Sequence, residues 1–231
     1  MWVHRALLYT VSKRAAKRLP LFIMQTKMTH PALLLRGLSV SPLIAAYFEW
    51  SQLKQLYRQG WLRRGAPADR CESVAEHTFS MAVLAMALAD AYAPALDALK
   101  VLRMALLHDF GEIYAGDITP SDGVDPADKR ARERESIHRV FDKLPAGATY
   151  AALWQEYEAG ASPEARFVRQ IDRLEMALQA ALYERAGLVR ADEFLASAAA
   201  VITDPDLQAV LRELDALRAF AQPDHSQPAG A

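Results

Sequence analysis

The stretch "MALLHDFGEI", residues 104–113, poses the question on which the fold depends. Its first part is an apolar run typical of a buried helix, and the run ends in His108 and Asp109. Glu112 follows one helical turn after the histidine. Charged side chains are rarely buried without partners. The sequence therefore predicts that another part of the chain supplies partners for this His-Asp pair.

Helix signals dominate the chain from Ser41 onward. Ser41 followed by Pro42 is a typical helix start, and the helix it opens is predicted to reach Gly60. The residues "SVAE", 73–76, match a capping box and open an Ala/Leu/Met-rich helix to about Ala91. Further helices are predicted over residues 97–108, 126–144, 162–185 and 204–220. Alternating runs of β-branched residues bounded by turns are missing, so the sequence predicts a single all-α domain.

The composition is that of an ordinary globular protein. The 231 residues are 52% hydrophobic and 24% charged, which suits one sizeable domain or at most two small ones. The formal net charge of -1 does not predict a polyelectrolyte partner such as nucleic acid. The charge is unevenly spread, because residues 1–48 contain seven Lys or Arg and no Asp or Glu.

The basic start of the chain has three interpretations: a targeting or membrane-surface segment, a nucleic-acid arm, or an extension outside the fold. We favour a dispensable or disordered extension over residues 1–40, in which Met24 and Met28 are alternative start sites. The start has no long apolar run, so neither a transmembrane helix nor a secretory signal is expected. The domain is then predicted to cover residues 41–221, followed by a disordered tail over 222–231.

Cys71 is the only cysteine in the sequence. One cysteine cannot form a disulfide framework or a cysteine-based zinc site. We therefore expect a reducing, cytoplasmic setting and a packed, inert thiol.

The predicted helices carry a mixed set of nitrogen and oxygen donors. Two imidazoles and two carboxylates interrupt otherwise apolar segments: His77, His108, Asp109 and Asp172. Such a set suits a divalent metal with water completing the coordination, and a metal is the partner that buried charges need. Each residue taken alone has an ordinary alternative. A histidine at a helix start often caps or packs, and Asp172 could pair with Arg169 or Arg173.

The order of these four residues resembles that of the HD-domain metal-dependent phosphohydrolases. The resemblance covers about residues 61–184, and three stretches are similar to the HD-domain 5'-deoxynucleotidase branch: "ESVAEHTFSMAVLA", "MALLHDFGEIYAGDITP" and "RQIDRLEMALQA". That branch removes phosphate from deoxyribonucleoside 5'-monophosphates. The resemblance implies a single HD-domain helical bundle with a metal site between its helices. It also implies one divalent ion (Co, Mn, Mg, Fe, Ni or Zn), held by His77, His108, Asp109 and Asp172.

The resemblance also implies roles for two further acidic residues, Glu112 and Asp117, in water activation and substrate placement. Glu112 can face the same cavity as His108 if the helix continues, and a carboxylate there could orient or deprotonate water. Asp117 lies in a loop between Gly116 and Pro120, which suggest a fixed turn. Without the resemblance, an Asx turn is an equally good interpretation of Asp117.

A phosphate substrate also needs cations. Arg70 and Trp61 are similar to an arginine and a tryptophan of the family that are candidates for nucleotide contact. Arginine suits this role because its planar fork binds phosphate oxygens bidentately. Arg63 and Arg64 are more typical of a solvated pair. The alternating charges of residues 129–135 are likewise typical of a solvated helix face.

Other HD-domain activities fit the sequence less well. Dinuclear enzymes use extra histidines between the His-Asp pair and the last aspartate, whereas only His138 occurs between Asp109 and Asp172. The Gly-Tyr-Pro element of cyclic-dinucleotide phosphodiesterases is absent. Enzymes acting on alarmone nucleotides carry Glu-Asp shortly after His-Asp, where this chain has "HDFGEIYAGD".

The expected protein is a cytoplasmic homodimer that acts on a small nucleotide and binds neither nucleic acid nor membrane. A non-catalytic regulator that keeps the fold and binds nucleotide as a sensor is the alternative. The intact set of acidic and histidine residues favours the enzyme, because degenerate sites usually lose some of them.

Overall fold

Residues 24–219, which the computed structural model describes, fold into α-helices joined by short turns. The helices are α1 Pro42–Trp50, α2 Gln59–Arg63, α3 Val74–Tyr92, α4 Ala98–Leu107, α5 Glu112–Ala115, α6 Pro126–Phe141, α7 Gly147–Ala159, α8 Pro163–Arg185, α9 Asp192–Val201 and α10 Pro205–Ala219. No strand occurs within this described range, where the only β-type pairs are two isolated bridges, Thr26–Leu56 and Tyr57–Ser73. The all-α prediction is confirmed.

Side-chain caps fix where the site-bearing helices begin. Ser73 accepts a hydrogen bond from the Glu76 amide, and the Glu76 carboxylate accepts one from the Ser73 amide at 2.6 Å, so the predicted capping box is present. Asp97 caps α4 and Ser162 caps α8 in the same way. Caps of this kind each contribute about 1 kcal/mol to stability. Gly187 has a φ of +69°, a backbone conformation suited to glycine, and it follows the end of α8 as predicted.

The main core lies where α3, α4 and α8 pack together. Its fully buried side chains are mostly small or unbranched, which lets the three helices approach closely: Met81, Ala85, Val101, Met104, Ala105, Ile171, Leu174 and Ala177. A second cluster joins α5, α6 and α7 through Ile113, Ile137, Val140, Phe141 and Trp154. Both clusters border the segment that carries His108, so the site lies between two hydrophobic cores.

Helix α3 is long and apolar enough to cross a membrane by length and composition alone. Of its most apolar window, 39% is buried inside the bundle. The buried positions include His77 and the core residues Met81 and Ala85. Packing in the core accounts for only part of its apolar character, because Phe79, Val83 and Met86 on the same helix are exposed.

The predicted continuous helix from Ser41 to Gly60 is wrong. Helix α1 ends at Trp50, a 3-10 turn follows, and α2 begins at Gln59, so Gly60 lies inside a helix and does not end one. The backbone between the two helices bonds elsewhere: the Leu56 carbonyl accepts from the Val74 amide at 2.9 Å. These tertiary hydrogen bonds outweigh the local helix propensity of the segment.

Part of the predicted extension contacts the domain. Gln25 and Gln59 exchange two hydrogen bonds of 3.1 and 3.0 Å between backbone and side chain. The Lys27 amide donates to the Gln55 carbonyl at 2.7 Å. Residues 1–23 of the extension and the predicted tail lie outside the described residues.

Candidate active site and metal centre

The four predicted ligand residues meet at the junction of α3, α4 and α8. The His77 Nε2 atom lies 3.3 Å from His108 Nε2 and 3.3 Å from Asp172 Oδ1. Asp109 Oδ2 lies 3.0 Å from His108 Nε2 and 3.6 Å from His77 Nε2. Two atoms bound to one ion at about 2.1 Å lie about 3.0 to 3.4 Å apart at ordinary coordination angles. The structure thus groups His77, His108 and Asp109 as a candidate site for one shared ion, and Asp172 Oδ1 lies beside them, 4.0 Å from His108 Nε2.

Hydrogen bonds at Nδ1 fix the chemical state of both imidazoles. The His108 Nδ1 atom lies 2.7 Å from the Ala105 carbonyl oxygen, which can only accept, so Nδ1 carries the proton. The His77 Nδ1 atom lies 2.6 Å from Glu175 Oε2 and donates to that carboxylate. With Nδ1 of each ring engaged in this way, the two Nε2 atoms, 3.3 Å apart, are the ring nitrogens that face the site and could bind a metal ion.

The surrounding charges also favour a cation. Burial and Arg58 oppose a positive charge on His77, but the Asp172 and Glu175 carboxylates outweigh them and raise the pKa of His77 to about 10. Burial opposes ionisation of Asp109 as well, yet its histidine and arginine neighbours hold the pKa of Asp109 well below its usual range. Among the described residues, the buried Asp109 Oδ2 atom has no hydrogen-bond partner. A divalent ion fits this donor set and supplies the missing partner.

Arg58 stands beside the ligand cluster, immediately before α2. Its Nη1 atom lies 3.6 Å from Asp109 Oδ2, and its side chain is 16% exposed. Burial opposes its charge, but Asp117, Asp109 and their acidic neighbours raise the pKa of Arg58 well above its ordinary value. Arg58 is therefore a permanent cation held at the edge of the site.

Glu112 points into the same region although the helix does not continue regularly. A 3-10 turn, His108–Gly111, separates α4 from α5, and Glu112 is the first residue of α5. The side chain lines the cavity of the site while the residue is only 5% exposed, and its Oε2 atom has no hydrogen-bond partner within residues 24–219. Burial, followed by the Asp109 and Asp117 carboxylates, raises the pKa of Glu112 well above its usual range.

Asp117 makes a long-range contact. Its Oδ2 atom accepts a hydrogen bond of 2.5 Å from the Gln59 amide at the start of α2. The preceding Gly116 has a φ of +82° and faces the Met24 side chain where a Cβ atom would stand, so the loop needs glycine there. The Asp117 carboxylate thus ties two distant segments together, which a local Asx turn does not do.

A cavity of about 670 Å³ opens beside the ligand cluster. His108, Asp109, Glu112 and Asp172 lie at its wall, together with six basic residues: Arg58, Arg64, Lys129, Arg130, Arg169 and Arg173. Cavities of this size hold molecules as large as a nucleotide. The six basic residues compensate most of the charge of the seven acidic residues at the wall, and a cation in the ligand cluster would compensate the rest, so that an anionic group could enter.

Lys129 and Glu133 depart from the predicted solvated face. The Lys129 Nζ atom donates to the Ile118 carbonyl at 3.0 Å and lies 3.5 Å from Glu133 Oε1. Glu133 is buried, which raises its pKa to about 7. This part of α6 forms a wall of the cavity, with the ammonium group of Lys129 inside the field of Glu112 and Asp109.

The two residues predicted to contact nucleotide lie in different surroundings. Trp61 is 2% exposed, donates from Nε1 to Glu72 at 2.8 Å, and packs 4.3 Å from the Phe194 ring while lining the cavity. Arg70 is exposed, in a 3-10 turn, and is not among the lining residues. The contact of both residues with substrate stays a prediction, and Arg58 is the arginine that the structure places beside the ligands.

Arg63 and Arg64 are exposed, as expected of a solvated pair, but both also bind other parts of the fold. Arg63 contacts Thr119 and Asp122 in the loop that carries Asp117. Arg64 binds the Glu193 carboxylate through two of its nitrogens and lies 4.9 Å above the Phe194 ring. Both arginines therefore fasten α2 to neighbouring parts of the fold.

Cys71 is a buried thiol, as the sequence predicted. Its Sγ atom lies 3.4 Å from the Glu72 carbonyl oxygen and 3.6 Å from that of Arg58. Burial, with the negative charges of Glu72 and Asp117, raises the pKa of Cys71 to about 12. The thiol is protonated at neutral pH and therefore a poor nucleophile.

Three residues of the site escaped the sequence analysis: Arg58, Lys129 and Glu175. Glu175 follows Asp172 by three residues on α8, so the shared helix face could have predicted it. The sequence did not single out Arg58, because residues 41–60 were predicted to form one continuous helix. Lys129 was hidden in an alternating charge pattern that is usually solvent-exposed.

With this geometry established, similarity to known proteins defines the class. The family model described as HD domain matches residues 50–213, most of the chain. The chain belongs to the HD domain family. It is 38% identical to the human (Homo sapiens) 5'-deoxynucleotidase HDDC2 over 173 residues, which are 72% of this chain and 81% of that protein. It is 35% identical to the 5'-deoxynucleotidase hdd1 of Schizosaccharomyces pombe over 156 residues, 65% of this chain and 75% of that one.

Solved structures show the same fold. The PH0347 protein from Pyrococcus horikoshii superposes with a TM-score of 0.64 at 32% identity, covering 75% of this chain and 99% of that one. A predicted metal-dependent phosphohydrolase from Magnetospirillum magnetotacticum gives a TM-score of 0.59 at 34% identity, covering 79% and 95% of the two chains. The recognition of the HD-domain phosphohydrolases from the sequence is confirmed.

Proposed function

We propose that this chain is a metal-dependent 5'-deoxynucleotidase, which adds water to deoxyribonucleoside 5'-monophosphates and releases the nucleoside and inorganic phosphate. The convergence of His77 Nε2, His108 Nε2, Asp109 Oδ2 and Asp172 Oδ1 carries the proposal. The similarity to proteins named 5'-deoxynucleotidase in animals and fungi supports the substrate class.

The proposed metal ligands are His77, His108, Asp109 and Asp172, holding one divalent ion. A divalent ion bound there supplies a water of lowered pKa and neutralises charge on the phosphoryl oxygens. The nitrogen and oxygen donors suit Mn, Fe, Co, Ni or Zn, and Mg is also compatible with the carboxylates. Glu175 orients His77 through the 2.6 Å contact at Nδ1, and the Ala105 carbonyl orients His108.

Glu112 is the proposed general base. Its carboxylate is buried at the cavity wall, and its Oε2 atom makes no hydrogen bond to the part of the chain that the structure describes. A group with a raised pKa is a better proton acceptor near neutral pH than an ordinary carboxylate. Glu112 would orient the attacking water and accept its proton. Asp117, in the loop that follows α5, would keep the substrate in place.

Arg58 and Lys129 are the proposed cations for the phosphate group. Both line the cavity on the side of Asp109 and Glu112, and both carry N–H groups that can donate hydrogen bonds to phosphate oxygens. Arg58 can bind two oxygens with its planar fork, whereas Lys129 acts as a point charge. Trp61 and Arg70 remain proposed contacts for the rest of the nucleotide.

A panel of nucleotides tests this function. Phosphate release is measured for the deoxyribonucleoside and ribonucleoside 5'-monophosphates with each of several divalent ions. We expect phosphate from the deoxyribonucleoside monophosphates and none from the corresponding triphosphates. Release of pyrophosphate or triphosphate from triphosphates would contradict the proposal. Nucleotide binding with no turnover under any metal would favour a sensor instead.

We also propose a cytoplasmic homodimer. The single, buried cysteine supports a reducing compartment. Three large apolar side chains, Phe79, Val83 and Met86, form an exposed stripe along α3 and are 69%, 45% and 45% exposed. Exposed apolar patches of this kind often mark association surfaces. Light scattering of the wild type and of the Val83→Glu variant tests this part, with a monomeric wild type contradicting it.

A further inference from the structure

The first part of the loop between α5 and α6, residues 116–123, forms part of the cavity wall and carries Asp117. We call it the Asp117 loop. Asp117, Ile118, Thr119 and Pro120 of this loop all line the cavity. A loop that presents a site residue must be held in place, because displacement of a reacting or positioning group by about 1 Å can cost about 100-fold in rate.

Arg63, the last residue of α2, holds the far half of this loop. Its Nη1 atom donates to Thr119 Oγ1 and, at 2.9 Å, to Ser121 Oγ, and its Nη2 atom pairs with Asp122 Oδ1. The Asp122 side chain is 2% exposed, so its charge depends on this partner. The Asp122 Oδ2 atom in turn accepts from the Thr119 amide at 2.7 Å, which fixes the turn itself.

Two other contacts hold the near half of the loop. The Gln59 amide, at the first residue of α2, donates to Asp117 Oδ2 at 2.5 Å. The Lys129 ammonium, on α6, donates to the Ile118 carbonyl at 3.0 Å. Helix α2 therefore binds the Asp117 loop at both of its ends, through a backbone amide at Gln59 and a side chain at Arg63.

Arg63 does not line the cavity, and its donors are directed at loop oxygens. It is thus placed to act on the site through the loop and not on the substrate. We propose that Arg63 is a positioning residue of the reaction: with Asp122 it clamps the Asp117 loop to α2 and so keeps the Asp117 carboxylate in place at the site. The expected effect on the reaction rates rests on the proposed function. The contacts that form the clamp do not depend on it.

The kinetic test uses Arg63→Met with the full chain and saturating metal. We expect kcat to fall about 10- to 100-fold, as for a misplaced site group, with metal content unchanged. The matched control is Arg218→Met, which also removes a partly buried arginine-carboxylate pair, with Glu184, while neither residue lines the cavity. The control should lose melting temperature without losing kcat. An Arg63→Met variant with wild-type kcat would overturn the proposal.

Double variants show whether Arg63 acts through the loop. Arg63→Met combined with Asp122→Asn should be no worse than the more damaging of the two single changes, since both break the same clamp. In an Asp117→Asn background, Arg63→Met should lower kcat by less than about threefold, because the group it positions is already lost. Multiplying effects in both pairs would contradict a role through this loop.

Hydrogen exchange provides a measurement that does not depend on turnover. Arg63→Met should speed amide exchange in residues 116–123, whereas Arg218→Met should leave it unchanged. Unchanged exchange in Arg63→Met would overturn the clamp even if activity falls. If the wild type shows no nucleotidase activity, the proposed function fails, and the exchange result still decides whether the clamp exists.

Discussion

Glu175 controls the chemistry of a residue that it neighbours in space but not in sequence. Its carboxylate accepts the Nδ1 proton of His77, so the Nε2 lone pair of His77 faces the site. We expect Glu175→Ala to weaken metal binding about 10- to 100-fold, the range usual for residues that orient a ligand. The measurement is a metal titration of the purified protein. Glu164→Ala, on the same helix but paired with Lys100, is the control, and equal affinities in both variants would contradict the role.

A substitution at Glu112 distinguishes a loss of proton transfer from a loss of metal binding. Glu112→Gln keeps size and removes the base, so kcat should fall about 10²- to 10⁴-fold with metal content unchanged. If the variant loses its metal, Glu112 is a ligand. If it keeps full kcat, Asp117 is the better candidate for the base.

The pH dependence of the reaction has a definite sign at Glu112. Burial and the neighbouring Asp109 and Asp117 carboxylates raise the pKa of Glu112. A general base works in its deprotonated form, so activity should be lost as pH falls through this raised pKa, above the ordinary value of about 4.3 for glutamate. A profile of kcat/KM against pH measures the effect. An identical acidic limb in the wild type and in the residual activity of Glu112→Gln would assign that limb to another group.

At the scale of elements, the short segment before the first helix supports the site. Met24 packs on Gly116, and Gln25 exchanges hydrogen bonds with Gln59, whose amide binds Asp117. We expect a chain that begins at Met28 to melt several degrees lower, by about 4 °C per kcal/mol lost, than one that begins at Met24. Its kcat should also fall. Thermal melts and phosphate assays of the two chains measure this, and equal values would return residues 24–27 to a dispensable extension.

Most elements could be predicted from the sequence where their ends carry caps. Ser73, Asp97 and Ser162 mark the starts of α3, α4 and α8, and each accepts a capping hydrogen bond with its side chain, as was predicted for Ser73. Helices α7 and α9 were missed because they follow Ala146 and Ala191, which make no side-chain cap. The end of α1 was misplaced because hydrogen bonds to distant segments, invisible in a local pattern, decide it.

The site follows the same division. His77, His108, Asp109 and Asp172 stand out because polar residues interrupt apolar helices. Arg58 could not be singled out in the same way, because an arginine before a short helix looks like an ordinary surface residue in the sequence. Its position beside the ligands depends on the folded structure. The cavity, which brings the four predicted ligands and the basic residues together, depends on packing between segments far apart in the chain.

At the scale of the whole molecule, the proposed ion joins α3, α8 and the turn after α4, so it should stabilise the bundle. Free metal at 100 times its Kd stabilises the folded state by about 2.7 kcal/mol, which corresponds to a rise of about 5–10 °C in Tm for a chain of this size. Thermal melts with added metal and with excess chelator measure the difference. Asp172→Ala should show no metal-dependent shift, and an equal shift in that variant would place the stabilising ion elsewhere.

The most direct test of the central claim is bound metal and phosphate release, measured together on the same preparations. The wild type should contain about one divalent ion per chain and should release phosphate from deoxyribonucleoside 5'-monophosphates until a chelator is added. Asp109→Ala and Asp172→Ala should lose metal and activity together. Wild-type metal content in both variants would contradict the proposed ligand set. Full activity of the wild type in the presence of the chelator would contradict a metal-dependent reaction.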